Sequence, residues 1–412
     1  MEHRQNRHHS NMNRIMDPTT TVEGNCHSRT VDEDTIDRRG NLSCNEDEED
    51  MRNPFKVVPP DVLPLFDTIP QTTASRRENN TTRIVLMSDT HGRHRQVPLP
   101  KSADVLIHAG DLTQRGEAGT LQDLANYLAD LQQQRQGTPR FQRVILIAGN
   151  HDVTLQPSFY QRQQRYARVR PMDCEKAVQA LKASCTYLED KSCSLWPNSC
   201  GLRVYGSPWS PEFGEWAFTK PLGEMEPLWQ AIPDDTDILI THGPPYKRGD
   251  QVHRHEHVGC PALLDHVQRR VKPRLHVFGH IHEERGWVGY DGQTLFVNAS
   301  NVDLRYRPIQ PCIVVDVPHD KSQPVQLVQP VSPVTDFDSF ITWLNDQGET
   351  YVALTRHLRN IHDKMDDWMD WQHPWTALSD LPNVFCMLAM HRDERLRNDL
   401  RQALGDLYAN SF

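Results

Sequence analysis

The sequence contains no CxxC pair, no apolar run of membrane-spanning length and no surplus of basic charge. Each absence excludes a class of protein. Its nine cysteines are odd in number and scattered, which argues against both a zinc ribbon and a small disulfide framework. Without an apolar stretch of about 20 residues no transmembrane helix is expected, and no membrane partner. A net charge of -10 is the wrong sign for gripping long nucleic acids, which takes clustered Lys and Arg. The opening MEHRQNRHHSNMNR has no apolar centre of a signal peptide, so a cytoplasmic or nuclear, reducing setting is expected.

What is present falls into regions. Residues 1–53 carry 12 acidic and 7 basic side chains, so 7 − 12 leaves -5, half of the total charge. They lack hydrophobic periodicity and read as a disordered acidic tail. Residues 54–81, rich in proline with enough apolar side chains to lie along a domain surface, read as a surface-packed linker. From 82 to 317, short aliphatic runs alternate with amphipathic stretches. Arg83–Met87, Val105–Ala109, Val144–Ala148, Asp237–Ile240 and Leu275–Phe278 have the length and β-branching of strands covered on both faces. Between the second and third lies a helix pattern, Leu121, Leu124, Leu128 and Leu131, with Gly137 as its expected stop. Strand, helix, strand implies a right-handed parallel crossover and an α/β domain.

Residues 318–412 change to helical spacing and read as a C-terminal helical extension: Phe337, Phe340, Ile341 and Leu344, then Tyr351, Leu354, Leu358, Ile361, Met365 and Trp368, then Leu396, Leu400, Leu404 and Leu407. Four tryptophans, Trp343, Trp368, Trp371 and Trp375, sit there, and packing onto the α/β core is a better reading of them than a groove for a protein partner.

The chemistry lies where the aliphatic runs stop. IVLM is followed by Ser88, Asp89, Thr90 and His91, and VLIHA by Gly110 and Asp111. VILIA leads to Gly149, Asn150, His151 and Asp152, DILI to Thr241, His242 and Gly243, and LHVF to Gly279, His280, Ile281 and His282. In an open α/β sheet, ligands bind beyond the carboxyl ends of the strands. One such motif is an ordinary turn; five in order, all at exit ends, are not accounted for by turn chemistry. In DxH and HxH, alternate residues of extended chain point the same way and can reach one ion.

The donor inventory is Asp89, His91, Asp111, Asn150, His242, His280 and His282, without a thiolate, which suits manganese, iron or zinc better than a soft ion. Seven donors are too many for one four-coordinate ion and about right for two ions that share a carboxylate. A pair of ions roughly 3.5–4 Å apart clamps the attacking and leaving oxygens of an in-line displacement and lowers the pKa of bound water to about 7. The residues alone reach the hydrolysis of a phosphate ester.

The motifs DxH, GD, GNHD, H and GHxH, carried by MSDTHGRH (87–94), LIHAGDLT (106–113), LIAGNHD (146–152), DILITHGPP (237–245) and PRLHVFGHIHE (273–283), resemble the calcineurin-like metallophosphoesterase superfamily. VYGSPWSPEFGEWAF (204–218) and FVNAS (296–300) bring the text nearer to the metallophosphoesterase-domain-containing group within it. The resemblance spans about 82–316. It implies a four-layer α/β/β/α sandwich with a dinuclear metal centre. Asp89, His91 and His282 would hold the first ion, Asn150, His242 and His280 the second, and Asp111 would bridge. His151 would stand beside the phosphate as a catalytic group, with Asp152 orienting it. Some relatives in that group lack one histidine of the GHxH pair; His280 and His282 are both present here. The group is described as acting on phosphodiesters, so a small phosphodiester such as a cyclic nucleotide is the expected substrate.

Two alternatives stay open at this level: a nuclease on the same fold, which the acidic balance disfavours, and a non-catalytic binding protein using its C-terminal helices. Two loops follow site motifs, Gln161–Pro171 with Arg162, Arg165, Arg168 and Arg170, and Tyr246–Cys260 with His253, His255 and His257. Both read as solvated surface slightly better than as substrate contacts. For Trp209 and Trp216, capping the core near the site and stacking on a base are almost evenly matched.

Overall fold

The aliphatic runs that end in polar motifs are buried at every residue because both faces of each strand are covered. In chain order the strands are β1 (Gln71–Thr73), β2 (Thr81–Met87), β3 (Ala103–His108), β4 (Phe141–Leu146) and β5 (Thr186–Tyr187). There follow β6 (Lys191–Leu195), β7 (Leu202–Ser207), β8 (Ile238–Thr241), β9 (Leu275–Phe278), β10 (Val288–Tyr290) and β11 (Leu295–Asn298). The chain then adds β12 (Ile313–Pro318) and β13 (Gln326–Gln329). This computed structural model describes residues 62–75, 77, 80–135, 138–164, 171–196, 201–253, 255–329, 337–347, 351–352, 354–356, 358–359 and 394–410. The expected acidic tail at 1–53 lies outside them.

These thirteen strands form two large sheets, beside two short two-residue pairs, Gln134–Arg135 with Thr138–Pro139 and Ser210–Pro211 with Thr219–Lys220. One has the order β1-β13-β12-β2-β3-β4-β5, and the other β10-β11-β9-β8-β7-β6. β2, β3, β4 and β5 run parallel, as do β7, β8, β9 and β11, while β12, β10 and β6 pair antiparallel to their neighbours. The five motif-bearing strands are therefore divided, three in one sheet and two in the other.

Side-chain alternation builds the layers. In β2, Ile84 and Leu86 face the second sheet and join Val105, Ile107, Val204, Ile238, Ile240, Val277 and Val297 in one core between the sheets. Val85 and Met87 face the other way, with Leu106, Val144 and Leu146, against helices α1 (Ala118–Gln132) and α3 (Pro171–Ala183), which flank α2 (Pro157–Gln164) in the chain. The outer face of the second sheet, Tyr205, Leu239, Phe278 and Phe296, packs on Trp229 of α4 (Glu226–Gln230) and on Leu263 of α5 (Pro261–Asp265). The result is an α/β fold of four layers, α/β/β/α.

α1 ends at Gln132, ahead of Gly137, because Gln134–Arg135 turns away to pair with Thr138–Pro139. Leu63 and Phe66 of the linker are tied down, by Gln268 and Arg248 and by the Tyr290 carbonyl respectively, and β1 extends an edge of the first sheet. In the C-terminal region, α6 (Phe337–Asp346) and α7 (Glu394–Asn410) contribute Ile341, Leu344, Leu400, Leu404 and Leu407 to the outer core of the first sheet, and Tyr408 Oη donates to the Cys312 carbonyl. Trp343 packs half-buried against that core; Trp368, Trp371 and Trp375 lie outside the described residues. Among the described residues no helix is long and apolar enough to cross a membrane, and Cys174, Cys185, Cys193, Cys260 and Cys312 are free thiols.

Candidate metal centre

The carboxyl ends of β2, β3 and β4 in one sheet meet those of β8 and β9 in the other, and a bridge between Ser88 and Ser300 joins the sheets there. At these ends the backbone turns abruptly. Asp89, His91, Asp111 and His280 all adopt left-handed backbone, with φ of 54, 43, 55 and 70°. Such conformations cost on the order of 1–3 kcal/mol each and persist only where surrounding bonds impose them. Here Asp89 N donates to the Gly110 carbonyl (2.9 Å), His91 N to the Asp111 carbonyl (3.0 Å), and His280 N to the Asp89 carboxylate (3.0–3.1 Å). Two glycines are required by close approach. A Cβ on Gly149 would strike Asp111 Oδ1 and His242 Cε1, and one on Gly279 would strike Asp89 Oδ2 and Ser88 Oγ.

The structure brings all seven expected donors together in two groups. In the first, ligand atoms of Asp89, His91, Asp111 and His282 lie within 4.8 Å of one another. His282 Nε2 is 3.2 Å from Asp89 Oδ1 and 3.3 Å from His91 Nε2, which is itself 3.5 Å from Asp111 Oδ2. In the second, Asp111, His242 and His280 satisfy the same 4.8 Å criterion. Asn150 Oδ1 lies 2.9 Å from both His242 Nε2 and His280 Nδ1, and His242 Nε2 is 3.4 Å from Asp111 Oδ1. Asp111 thus offers one carboxylate oxygen to each group.

The donor chemistry fits cations. His91 Nδ1 faces the Thr113 carbonyl (3.1 Å) and His242 Nδ1 the Ala109 carbonyl (2.9 Å), so in both rings Nδ1 carries the proton. The remaining Nε2 atoms therefore point electron pairs into a cluster of carboxylate and amide oxygens. So many acceptors facing one another need a positive species between them. Protonation supplies it in the absence of metal. Burial opposes a charge on His242, but Asp111 raises it to about 9. Burial likewise opposes charge on His282, which its hydrogen bond to Asp89 raises. For Asp89, burial pushes the carboxyl up, yet His282 and His242 hold it well below the usual range; His242 does the same for Asp111. Burial keeps His91 (about 4) and His280 (about 3) neutral, the state in which imidazole binds a metal.

His151 stands apart from both groups. Its backbone N donates to Asp111 Oδ1 (2.9 Å), its Nδ1 faces the Gln114 carbonyl (2.7 Å), and its ring stacks on Trp216 at 4.1 Å. Here the structure corrects the expected role of Asp152. Its buried carboxylate makes no contact with the imidazole: it accepts from Gly149 N (2.8 Å), Leu112 N (3.1 Å), and Thr113 N and Oγ1 (2.9 and 2.8 Å). The reason is geometric, since the 3-10 turn that starts after Asp152 swings its side chain back under the Asp111 loop. Asp152 fastens the two loops together. Burial and the Asp111 charge, only partly offset by these bonds, raise it to about 6.

Sequence reasoning missed three contributors. Ser300 Oγ donates to Asp89 Oδ2 (2.8 Å), the Gln114 carbonyl holds His151, and the Tyr306 ring lies 4.6 Å from His91. Ser300 was within reach, in the stretch FVNAS that runs off the end of β11; a backbone carbonyl and a ring on a later loop leave no trace in motif spacing. Trp209 bonds Asp190 and packs on Phe218, whereas Trp216 belongs to the site. His253 and His255 are exposed and His257 bonds buried Asp250 at 2.7 Å, so among the described residues these histidines form no metal cluster. Arg162 lies over Phe159, while Arg165, Arg168 and Arg170 are outside the described residues.

Comparison with known proteins agrees with this geometry. The family model described as calcineurin-like phosphoesterase matches residues 82–284. The human and mouse proteins named metallophosphoesterase domain-containing protein 1 are each 40% identical over 276 residues, which is 65% of this chain and 79% of theirs. A Caenorhabditis elegans protein of the UPF0046 group is 34% identical over 244 residues, 58% of this chain and 82% of its own.

Proposed function

Because the chain belongs to the calcineurin-like phosphoesterase family, whose members are hydrolases acting on phosphate esters, we propose that it is a metal-dependent phosphodiesterase for small esters such as cyclic nucleotides. The observation that carries this reading is the position of Asp111, whose two carboxylate oxygens face separate donor groups. Asp89, His91 and His282 would hold one ion and Asn150, His242 and His280 a second, with Asp111 shared between them. When bound, the ions supply Lewis-acid stabilisation of phosphoryl charge and a water acidic enough to attack near neutral pH.

The chain's own groups do the rest. Thr113 and Ala109 carbonyls fix the tautomers of His91 and His242, so that each presents Nε2. Gln114 fixes His151 in the same way, so that Nε2 is the free nitrogen; with the ring doubly protonated, Nε2–H gives its proton to the departing ester oxygen and the ring is left neutral. Trp216 holds the plane of that ring, and Asp152 holds the loop that carries it. Asp89 is locked by Ser300 and His280 N, so its carboxylate is already oriented towards the other donors of the first group.

The test is chelation of the full chain, add-back of Mn²⁺, Fe²⁺ or Zn²⁺ singly, and a panel of phosphate mono- and diesters. Restored diester hydrolysis with two ions per chain supports the reading. Monoester preference would overturn the diester assignment, and hydrolysis unaffected by chelation would overturn the metal centre.

A further inference from the structure

Tyr306 is placed at some cost. It adopts φ of 58°, an outlier for a bulky side chain, and it is only partly buried, so packing into the core does not offset the strain. A dedicated turn imposes it. Asp303 accepts from Arg305 N and Arg307 N (2.9 Å each) and from Arg307 Nε (2.7 Å), while Tyr306 N donates to the Asp303 carbonyl (2.8 Å). The turn delivers the phenol ring to the edges of three site imidazoles, 4.6 Å from His91, 5.7 Å from His282 and 6.1 Å from His151.

Trp216 reaches the same place from the other side. Ala217 N donates to the carbonyl of Asn150 (3.2 Å), which ties the tryptophan's segment to a donor loop, and the indole stacks on His151. The exposed Arg115 guanidinium lies 5.3 Å from the indole centre, so a cation accompanies the aromatic surface. The donors are therefore flanked by the rings of Tyr306 and Trp216, where a site taking only inorganic or sugar phosphates would gain more from hydrogen-bonding side chains.

We propose that Tyr306 and Trp216 are specificity-determining residues, forming an aromatic wall beside the metal centre that selects phosphate esters bearing a flat π-system. This rests on the phosphoesterase reading and names the substrate class of the same site. The flat group could be an aryl ring on the ester oxygen or a nucleobase one sugar away, and both would gain from ring contact.

The experiment compares wild type with Tyr306→Leu, Tyr306→Phe and Trp216→Leu on bis(4-nitrophenyl) phosphate, 3′,5′-cyclic AMP and the non-aromatic diester glycerophosphocholine, with metal content measured for each protein. Ratios of variant to wild type within one substrate cancel intrinsic reactivity. Tyr306→Leu is expected to raise KM for an aromatic ester by about 5–10-fold, to leave glycerophosphocholine within about twofold, and to retain its ions; Tyr306→Phe is expected to restore the aromatic KM. An effect on bis(4-nitrophenyl) phosphate alone assigns the wall to the leaving group, and one on cyclic AMP to a base. If Tyr306→Leu does not fold, Tyr306→Met carries the same KM comparison, while Trp216→Leu, which also unseats the His151 ring, is read only by its ratio of aromatic to glycerophosphocholine KM. Equal losses on all three esters, or a Phe variant as impaired as Leu, would overturn the wall. A wild type that hydrolyses none of them would overturn the wall and the phosphoesterase reading together.

Discussion

The strand-end rim and the loops that stand over it are built on different principles. The rim takes its donors from the exits of five strands, and each donor is within four residues of a largely aliphatic run. The overlying groups, Trp216 and Tyr306, come from long connections and are held by hydrogen bonds to the backbone and by the Asp303 turn. Donors on packed strands are fixed to the tolerance that metal ligation needs, while residues on loops can change without disturbing the cores. The chemistry is thus attached to the rigid part of the molecule, and substrate choice to the adjustable part.

That division predicts a graded series of effects. Asp111→Asn should have the largest, removing measurable hydrolysis and lowering bound metal from two ions to one or none, as read by turnover and elemental analysis; a fully active variant with two ions would break the rim's claim to the chemistry. His151→Ala, on the rim but outside both donor groups, should reduce turnover by about 10²–10⁴-fold with metal content unchanged. Loss of metal would instead place His151 among the structural supports.

The third effect is on pH. Without metal, His242 stays protonated up to about 9, above an ordinary histidine near 6.5. The stability from its pairing with Asp111 is then complete below about 6.5 and disappears as pH rises through about 9. An incoming ion must displace that proton, so apparent affinity should increase with pH across this window by at most about tenfold per unit per proton released. Calorimetric titration in two buffers of different ionisation enthalpy at pH 7 should report at least one proton released; none would contradict the assignment of His242. The smallest effect belongs to the loops. Asp303→Ala removes the turn that holds Tyr306, and a change of a few-fold in KM with about 1 kcal/mol lost in stability is expected, measured by kinetics and denaturant melts, with both ions kept.

The same contrast explains how much could be read in the chain. The five strands, and the seven residues that gather at their exits, were legible because an aliphatic run ending in Ser-Asp-x-His, Gly-Asp, Gly-Asn-His, Thr-His or Gly-His-x-His is a local pattern. Division between two sheets was not, since Val85 and Ile240 have the same surroundings in sequence and differ only in which strands lie beside them. The role given to Asp152 followed an adjacency in sequence that the turn after it undoes. Gly137, itself outside the described residues, was read as the stop of α1, but the helix ends at Gln132, where the local pairing of Gln134–Arg135 with Thr138–Pro139 takes over. Tyr306 depends on a left-handed tyrosine, which no composition signals; the nearest clue was an Asp at the start of DLRYR, able to accept from backbone N–H groups two and four residues on.

Crystals of the full chain soaked in Mn²⁺, with data collected for anomalous scattering, address the paired-cation claim most directly. Two peaks about 3.5–4 Å apart, one on each side of Asp111, are the expected result. A single peak, or two that do not share the Asp111 carboxylate, would contradict it.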